Sequence, residues 1–487
     1  MGKFYITIAI PYVNGKPHLG HALEYFQADT IRRFHEINGD QTLLLSGADE
    51  NALKNVQAAE KEGISTKEFL DRNSKVFREA FQKLGVKLDV FQRGSDQQKH
   101  WPGVQKLWRL CFDNGDIYKK SYEGLYCVGC ESFKTAEELN EEGLCKDHLK
   151  KPELIKEENY FFRLNKYQQK LIDLIESNTL HIIPNNKRQE ALGFIKQGLE
   201  DFSISRSTDR AKGVGVPVPN NPEQVMYVWF DALTIYMTGV GFGSDETEFK
   251  TWWPADLHII GKDINRFHTV YWPAMLLSAG LSLPKQVLIH SFINAPGGVK
   301  MSKSLGNAID PFEIAQEYGL ESLRYYLLSQ ISLDEDGEMS LERFKEVYNA
   351  DLANGLGNLV SRVAKLCEIS KHEQLARSER FINHMIGIDP YLQAMQNYKI
   401  NEACGFIWQK VAALDKYIVE VKPWDLIKTE DPRLHSILTQ LVVSLQEIGI
   451  LLSPILPETS RKIEQIFKGS EIKSGVSLFP RLKKDNS

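Results

Sequence analysis

Pro11-Tyr12-Val13-Asn14-Gly15-Lys16-Pro17-His18-Leu19-Gly20-His21 joins an alternating apolar run to a long amphipathic pattern. Before this stretch, apolar residues recur at period two from Phe4 to Ile10, which predicts a half-buried strand ending near Ile10. After it, apolar side chains keep helical spacing until Asn38-Gly39, where glycine can form a left-handed C-terminal cap. The sequence therefore predicts a strand, a loop and a helix that begins at His18 or Leu19.

The predicted start of this helix is a candidate site for a phosphate. Helix N-termini present unpaired backbone N–H groups and a partial positive charge, so an anion is favoured there. His18 and His21 are three residues apart on one helix face, and Gly20 between them leaves the backbone open to a nucleotide. ATP phosphates fit this arrangement. Taken alone, however, the two histidines are better explained as ordinary polar residues at a helix start.

Composition excludes several classes of protein. The 487 residues predict roughly three to four compact units. Charged residues make up 25% of the chain, and no apolar stretch approaches the ~20 residues of a membrane span. The first residues enter the first strand without a signal-peptide pattern, so we expect a cytoplasmic protein without a membrane partner. With 59 basic and 64 acidic side chains, any RNA contact must be a local patch.

Four of the potential metal ligands occur as two pairs. Cys127-Val128-Gly129-Cys130 is followed, after fourteen residues, by Cys145-Lys146-Asp147-His148. This spacing predicts one structural zinc ion held by Cys127, Cys130, Cys145 and His148, because four N/S ligands leave no open position for catalysis. The remaining cysteines, Cys111, Cys367 and Cys404, are expected to be reduced, buried small hydrophobes.

Alternating strand and helix patterns predict an α/β fold: a Rossmann-like doubly wound parallel sheet with an inserted zinc-knuckle domain and a C-terminal α-helical bundle. We expect the first half of the sheet domain in residues 1–115, the insertion in 116–222 and the second half in 223–294. The strands expected in the second half are Val225–Trp229, His258–Ile260 and Val287–His290. From Asp310 onward, no strand is expected, and one of the helical runs extends from Leu341 to Cys367.

A second motif, Lys300-Met301-Ser302-Lys303-Ser304, lies in a loop rich in glycine and proline. Alone it could be a solvated basic loop. Together with His18-Leu19-Gly20-His21, it resembles the paired signatures of class I aminoacyl-tRNA synthetases. The resemblance is specific to the methionyl-tRNA synthetase family, in its short bacterial-type form with a single zinc knuckle. The further stretches that carry it are Ala9–Tyr12, Gly47–Glu50, Asp201–Arg206, Tyr227–Ala232, Ile260–Ile264, Phe267-His268 and Lys422–Trp424.

This resemblance implies an enzyme that converts methionine and ATP to methionyl-adenylate and pyrophosphate, and then acylates the terminal adenosine of tRNA(Met). A thioether needs an apolar, polarisable pocket, which aromatic rings provide. The residues implied to line or close this pocket are Ile10, Tyr12, Val228, Trp229, Ala232, Tyr236, Ile264 and His268, with Asp49 holding the substrate ammonium. Trp229 is expected at a strand end, where packing alone would also explain a tryptophan.

The same resemblance assigns residues to ATP and to tRNA. Implied catalytic charge carriers are His18, His21, Lys300 and Lys303, and the implied ATP-binding residues are His18, Gly20, His21, Glu24, Gly261, Asp263 and Lys303, with Mg²⁺ on the phosphates. Residues 295–350 would form the signature loop and stem-contact region, and residues 351–487 an anticodon-binding domain. The implied anticodon readers are Asn358, Arg362 and Trp424, although a core tryptophan and a solvated arginine remain the alternative.

Four rival interpretations differ from this one in stated features. Cysteinyl-tRNA synthetase places its zinc in the amino-acid pocket, and the branched-chain synthetases carry an editing insertion longer than the roughly 110 residues expected here. A catalytically silent RNA-binding paralogue would lose His18, His21, Lys300 and Lys303. A nucleotidylyltransferase needs no anticodon bundle. We expect a monomer, because the chain ends soon after the predicted bundle.

Overall fold

The computed structural model contains two compact units along the chain. One comprises Met1–Pro17 with Gly39–His290, and the other comprises His18–Asn38 with Ser291–Ser487. The domain boundaries expected from the sequence remain predictions. The residues that the structure describes are 2–127, 132–147, 149–301, 306–371, 388–469, 471–475 and 477–482.

A six-stranded sheet forms the centre of the first unit, and all its strands are parallel. In spatial order, the strands are β3 (Val90–Arg93), β2 (Gln41–Ala48), β1 (Lys3–Ile8), β12 (Leu257–Gly261), β13 (Gln286–His290) and β7 (His181–Ile183). Strand order reverses beside β1, which makes the carboxyl ends of β1 and β12 the expected place for a ligand crevice. The predicted doubly wound parallel sheet is therefore confirmed.

Burial explains why the central strands are almost continuously apolar. Every residue of β12 is buried, as are five of the six residues of β1, because helices cover both faces of a parallel sheet. Strand β1 ends at Ile8, two residues before the expected Ile10. The helices of this unit are α2 (Leu53–Glu62), α3 (Thr66–Lys83), α4 (Trp101–Asp113), α5 (Gln168–Glu176), α6 (Asn185–Lys196), α7 (Val228–Thr238), α8 (Glu246–Trp252) and α9 (Trp272–Ser278).

Two small antiparallel sheets complete the first unit. One contains, in spatial order, β5 (Ser132–Lys134), β4 (Ile117–Cys127), β6 (Glu153–Phe162) and β8 (Phe202–Ser203). The other contains β10 (Pro217–Val218), β11 (Asn221–Met226) and β9 (Ser205–Ser207).

The strand expected at Val225–Trp229 is wrong in position and in partner. β11 ends at Met226 and pairs antiparallel with β9 and β10, outside the parallel sheet, and α7 begins at Val228. Trp229 is consequently a helical residue rather than a strand end, and the apolar run that suggested a strand is instead a helix buried on nearly all sides. The third strand of this half of the sheet is β7, whose three residues were too few to predict from periodicity.

The second unit is mainly helical. Its helices are α1 (Leu19–Ile37), α10 (Pro311–Tyr318), α11 (Leu320–Gln330), α12 (Leu341–Val347), α13 (Asn358–Ile369), α14 (Asp389–Gln396), α15 (Ile400–Val421), α16 (Pro423–Lys428), α17 (Arg433–Leu452) and α18 (Pro457–Phe467). The start of α1 at Leu19 confirms the prediction. The helix expected from Leu341 to Cys367 is interrupted by a π-helical stretch, Tyr348–Gly357, between α12 and α13.

One short strand occurs after Asp310, where no strand was expected. Gly337–Glu338 (β16) pairs in parallel with Ile293–Ala295 (β14), and β14 pairs antiparallel with Val299–Lys300 (β15). Two residues are too few to produce a periodic pattern. The predicted dominance of helices in this part of the chain is nevertheless confirmed.

Buried ion pairs connect α1 to α11. The Arg324 guanidinium is 2% exposed and lies 2.8 Å from a carboxylate oxygen of Asp29, which also contacts Arg32 and Arg33. Burial acts to raise the pKa of Asp29, but these guanidinium groups lower it overall. Arg324 also donates to the carbonyls of Pro454 and Ile455, between α17 and α18. These contacts hold the amino-terminal signature helix within the helical unit.

Helix α17 is long and apolar enough, by length and composition alone, to cross a membrane. However, 44% of its most apolar window is buried inside the protein, and a core helix passes the same test. Its buried face includes Leu438, Leu441, Leu445 and Leu452, so the observed packing accounts for its composition.

Candidate active site

An aromatic cluster lies in the first unit beyond the carboxyl ends of β1 and β12. The rings of Trp229 and Phe267 stack with centroids 3.8 Å apart and planes 9° from parallel. Tyr12 meets Trp229 edge to face at 6.3 Å. Ile10, Ile264 and these three aromatic residues pack, partly buried, against the main hydrophobic core. Four of the residues predicted to line the methionine pocket therefore border one core together with Phe267, and each retains exposed surface that a ligand can cover.

Tyr236 and His268 form a buried, uncharged polar pair. His268 Nδ1 lies 3.0 Å from the carbonyl of Ile264, which can only accept, so Nδ1 carries the proton. The other nitrogen, Nε2, then accepts from the Tyr236 hydroxyl at 2.8 Å. Burial lowers the pKa of His268 to about 4, so the imidazole is neutral at pH 7. A neutral polar pair suits an uncharged thioether better than an ammonium or a carboxylate side chain.

A second buried histidine, His258 of β12, was not predicted as a functional residue. Its ring lies 4.5 Å from that of Tyr236, and its Nδ1 lies 2.5 Å from the hydroxyl of Thr7. Burial and the neighbouring His268 hold the pKa of His258 well below its ordinary value. The sequence showed this residue only as part of an apolar strand. It extends the neutral polar cluster behind Tyr236.

Asp49 follows β2 and is only 3% exposed. Its backbone N–H donates to Pro11 at 2.9 Å, and Tyr12 and Asp49 form an isolated parallel bridge. The side chain of buried Asn55 donates to the carbonyl of Asp49 at 2.8 Å. These contacts fix the Asp49 backbone beside Tyr12, which brings together the predicted ammonium-binding carboxylate and one predicted wall of the pocket.

A polar network holds the N-terminal turn of α7, which contributes Val228, Trp229 and Ala232. Asp231 accepts from Asn51 at 2.6 Å and lies 2.5 Å from Nε2 of fully buried His100. Sequence reasoning missed His100, because no local pattern links it to a residue 131 positions away. Asp231 lies within one of the stretches that carried the resemblance and Asn51 directly follows another, so their positions offered a signal.

Gly261 ends β12, and Asp263 follows it in an exposed turn. A methyl group added at Gly261 would lie 2.9 Å from the Asp263 carboxylate and 3.6 Å from the ring of His290. Glycine is thus needed for the close approach of these side chains. Gly261 and Asp263, two of the predicted ATP-binding residues, therefore lie together at the carboxyl end of the sheet, where doubly wound folds bind nucleotides.

The two histidines of the N-terminal motif cap α1 in the second unit. The Gly20 N–H donates to His18 Nδ1 at 3.1 Å, and the His18 N–H donates to His21 Nδ1 at 3.2 Å. Because both Nδ1 atoms accept, each neutral ring carries its proton on Nε2. The rings lie 3.9 Å apart. Their Nε2–H groups are therefore hydrogen-bond donors at a helix N-terminus, where anions are favoured.

Gly20 has a steric role in this cap. A Cβ atom there would lie 3.0 Å from Cε1 of His18 and 3.2 Å from its Nδ1. A side chain would therefore displace the His18 ring from its capping position. Glu24, one turn further along α1, is buried with 4% exposure.

Lys300 lies in β15, at the end of a hairpin. Its turn contains Gly297 and Gly298 with φ values of 77° and 72°, which favour glycine strongly. Lys300 is exposed, and the side chain of Asn307 donates to its carbonyl at 3.2 Å. Lys303 lies outside the described residues.

Two of the four predicted zinc ligands fall within the described part of the chain. Cys127 ends β4, Cys145 forms an isolated bridge with Leu139, and both thiols are buried and not in disulfides. Two buried thiols in a hairpin region fit half of a structural zinc set. Cys130 and His148 lie outside the described residues, within which no group of three potential ligands occurs.

The predicted anticodon readers lie in the helical unit. Trp424 is 37% exposed, and the Arg362 guanidinium lies 6.0 Å from its ring centroid. Arg362 also pairs with Asp415 at 2.6 Å, and Asn358 is exposed one turn earlier on α13. Trp424 is accordingly not a core residue, which removes one support of the alternative interpretation.

The fold and the paired motifs are those of a class I tRNA synthetase. Residues 4–148 and 135–364 match the family model described as tRNA synthetases class I (M). A methionine–tRNA ligase of Brucella suis is 42% identical, covering 95% of this chain and 91% of that protein. One from Thermotoga maritima is 38% identical, covering 95% and 74%.

Solved structures agree with these relatives. Methionyl-tRNA synthetase of Mycobacterium tuberculosis in complex with methionyl-adenylate superposes with a TM-score of 0.90 at 35% identity, covering 99% of this chain and 100% of the other. Its free form gives a TM-score of 0.84 at 32% identity, with 100% and 99% coverage. The chain belongs to the methionyl-tRNA synthetase family. The predicted family, and with it an aminoacyl-tRNA ligase of protein biosynthesis, is confirmed, while the roles of individual site residues stay predictions.

Proposed function

We propose that the chain joins L-methionine to tRNA(Met) at the expense of ATP, for translation initiation and elongation. One observation carries the choice of amino acid: the stacked Trp229 and Phe267 rings adjoin the core that also holds the neutral Tyr236–His268 pair. Aromatic faces interact well with a polarisable sulfur atom. A charged side chain would lose its hydration beside these groups without gaining a counter-charge.

Methionine would be oriented by its two ends. Its thioether would lie among the aromatic residues, and Asp49 would accept from its ammonium. The near-complete burial of Asp49 strengthens such a pair, because the surroundings screen it less than water does.

Activation then requires no covalent enzyme intermediate. The methionine carboxylate attacks the α-phosphorus of ATP, the bond to the β-phosphate oxygen breaks, and pyrophosphate leaves. His18 and His21 donate through Nε2 to phosphate oxygens, while Lys300 and Lys303 supply positive charge. Glu24, Gly261 and Asp263 bind the adenosine part. Mg²⁺ accompanying ATP neutralises part of the phosphate charge.

Transfer follows when a ribose hydroxyl of the terminal adenosine attacks the acyl carbon and AMP leaves. Asn358 and Arg362 would hydrogen-bond splayed anticodon bases, and Trp424 would stack on one of them. The exposure of Trp424 and its contact with Arg362 support this role. A base that binds Arg362 competes with Asp415 for the guanidinium.

The remaining assignments concern the bound metal, the cellular location and the oligomeric state. One zinc ion would be held by Cys127, Cys130, Cys145 and His148, where it would stabilise the insertion without entering the reaction. We also propose that the protein acts in the cytoplasm as a monomer. Gel filtration with light scattering tests the monomer, with a dimer mass contradicting it.

ATP–pyrophosphate exchange across all twenty amino acids tests the activity, followed by aminoacylation of tRNA(Met). We expect exchange with methionine alone at micromolar to millimolar concentrations, the range of ordinary KM values. Trp229→Ala should raise the KM for methionine by about 10- to 100-fold, the loss expected when one aromatic wall that the ligand would cover is removed.

Phe112→Ala is the matched control, since Phe112 is a 49% exposed aromatic residue of the same unit. It should leave exchange unchanged. Preference for another amino acid would contradict the proposed substrate, and an equal KM in Trp229→Ala and Phe112→Ala would contradict the proposed pocket.

A further inference from the structure

Lys54 lies beside the aromatic cluster, in the first turn of α2. Its ammonium nitrogen is 4.3 Å from the centroid of the Tyr12 ring, and that ring meets Trp229 edge to face. Lys54 is half-buried, so part of its side chain is accessible to a small ligand. A positive charge is thus held against one wall of the site that we propose for methionine.

The position of Lys54 relative to Asp49 is held by the surrounding backbone. The Asp49 N–H donates to Pro11, and the side chain of fully buried Asn55 donates to the Asp49 carbonyl at 2.8 Å. Asn55 directly follows Lys54 on α2, and Tyr12 bridges Asp49. The backbones of Asp49 and Tyr12 are therefore held on the same frame as Lys54, whose ammonium lies against the Tyr12 ring.

A free amino acid carries two opposite charges on adjacent groups, and a rigid site binds it best with a complementary pair. Asp49 complements the ammonium, but none of the residues assigned above complements the α-carboxylate. We infer that Lys54 binds the α-carboxylate of methionine, an inference that rests on the function proposed above. The Tyr12 ring restrains the flexible lysine side chain through a cation–π contact, which reduces the entropy lost when the substrate binds.

The proposed role is consistent with the chemistry of adenylation. One carboxylate oxygen forms the bond to the α-phosphorus while the bond to pyrophosphate breaks, and the electron pair leaves with pyrophosphate. Lys54 keeps its proton throughout and remains near the acyl oxygen. Because the carboxylate charge is greatest before attack, losing Lys54 should raise the KM for methionine more than it lowers kcat.

Comparing two ligands separates recognition of the carboxylate from support of the pocket. L-Methioninol keeps the thioether and the ammonium of methionine but has a hydroxymethyl group in place of the carboxylate. Calorimetric titration of the full chain with each ligand gives the two affinities. Lys54→Met should weaken methionine binding by about 10- to 100-fold, as expected for one lost charge-assisted hydrogen bond. Methioninol binding should weaken by no more than about fivefold, the loss of the cation–π contact alone.

Lys61→Met is the matched control, because Lys61 lies on the same helix and is exposed. Both ligands should bind it as they bind the wild type. Lys54→Arg keeps the charge and should recover most of the methionine affinity. If Lys54→Met does not fold, as judged by circular dichroism, Lys54→Gln gives the same comparison with a polar neutral side chain.

Two results would overturn the inference. Equal weakening of methionine and methioninol would mean that Lys54 only orders Tyr12, and unchanged methionine binding would mean that it does not contact the substrate. Either result for the variant is compatible with a wild-type protein that exchanges methionine normally, so neither contradicts the proposed function. A wild type that fails to exchange methionine at all would instead contradict the proposed function.

Discussion

Replacing Trp424 by alanine should impair charging of tRNA while leaving methionine activation intact. Trp424 is the second residue of α16, which begins at Pro423, and it is 37% exposed. The Arg362 guanidinium lies 6.0 Å from the centroid of its ring. The truncation would remove both the accessible part of the ring and the packing of its covered part.

The expected magnitudes differ between tRNA binding and stability. A base stacked on an aromatic ring contributes ~1 to 3 kcal/mol, so kcat/KM for tRNA should fall by about 5- to 150-fold. The lost cation–π contact is worth ~0.5 to 1 kcal/mol at such an exposed site. Arg362 keeps its pairing with Asp415 at 2.6 Å in the variant, so its position is retained. Loss of the packing around the covered part of the ring should lower the melting temperature, so pyrophosphate exchange measured well below the transition is the readout that separates tRNA contact from a purely structural role.

The assay pairs aminoacylation of tRNA with pyrophosphate exchange in its absence, and thermal melting accompanies both. Trp424→Phe is the matched variant, because phenylalanine keeps a ring for stacking and should recover much of the tRNA charging. Equal losses in aminoacylation and exchange, together with a lowered melting temperature, would refute the reasoning. They would mean that Trp424 holds the helical unit together and does not contact the anticodon.

Three further predictions concern the other sites. Lys303→Ala should lower adenylate formation by roughly 10²- to 10³-fold with methionine affinity unchanged, and exchange within a few-fold of wild type would reduce the motif to a basic surface loop. Metal analysis should find about one zinc per chain, lost in Cys127→Ser, and zinc-free fresh protein would contradict the site. Because burial lowers the folded-state pKa of His268 to about 4, below its ordinary 6.5, its neutral form is favoured by folding. The stability that depends on neutral His268 is therefore fully present above pH 6.5. As pH falls towards 4, the free energy of unfolding should decrease by up to about 3 kcal/mol. Urea unfolding from pH 7 to pH 4 measures it, and His268→Gln should flatten the dependence.

Local patterns predicted the parts of the fold that extend over many residues. The period-two run before Ile10 became β1, and the helical spacing after His18 became α1, because each pattern is long and each element buries one continuous apolar set. Short strands such as β7 and β16 were not predicted, because two or three residues are too few to show a periodic pattern. The stretch around Trp229 was misread because α7 is apolar on nearly every side, which removes the helical period as well.

The sequence pattern identified the N-terminal histidines, but it could not show which ring nitrogen of each carries the proton. His-x-x-His at a helix start is weak as a motif, and on sequence alone ordinary polar residues explain it better. The reciprocal cap changes this assessment: with Nδ1 of His18 and of His21 each accepting a backbone N–H, the proton of each neutral ring is confined to Nε2. A charged imidazolium cannot accept at Nδ1, so protonation would break the cap at the moment it added charge. In the function proposed above, the pair would act as two oriented neutral donors, whose value to a phosphate would lie in preorganisation rather than in net charge. That distinction depends on two hydrogen bonds, and only the folded backbone creates them.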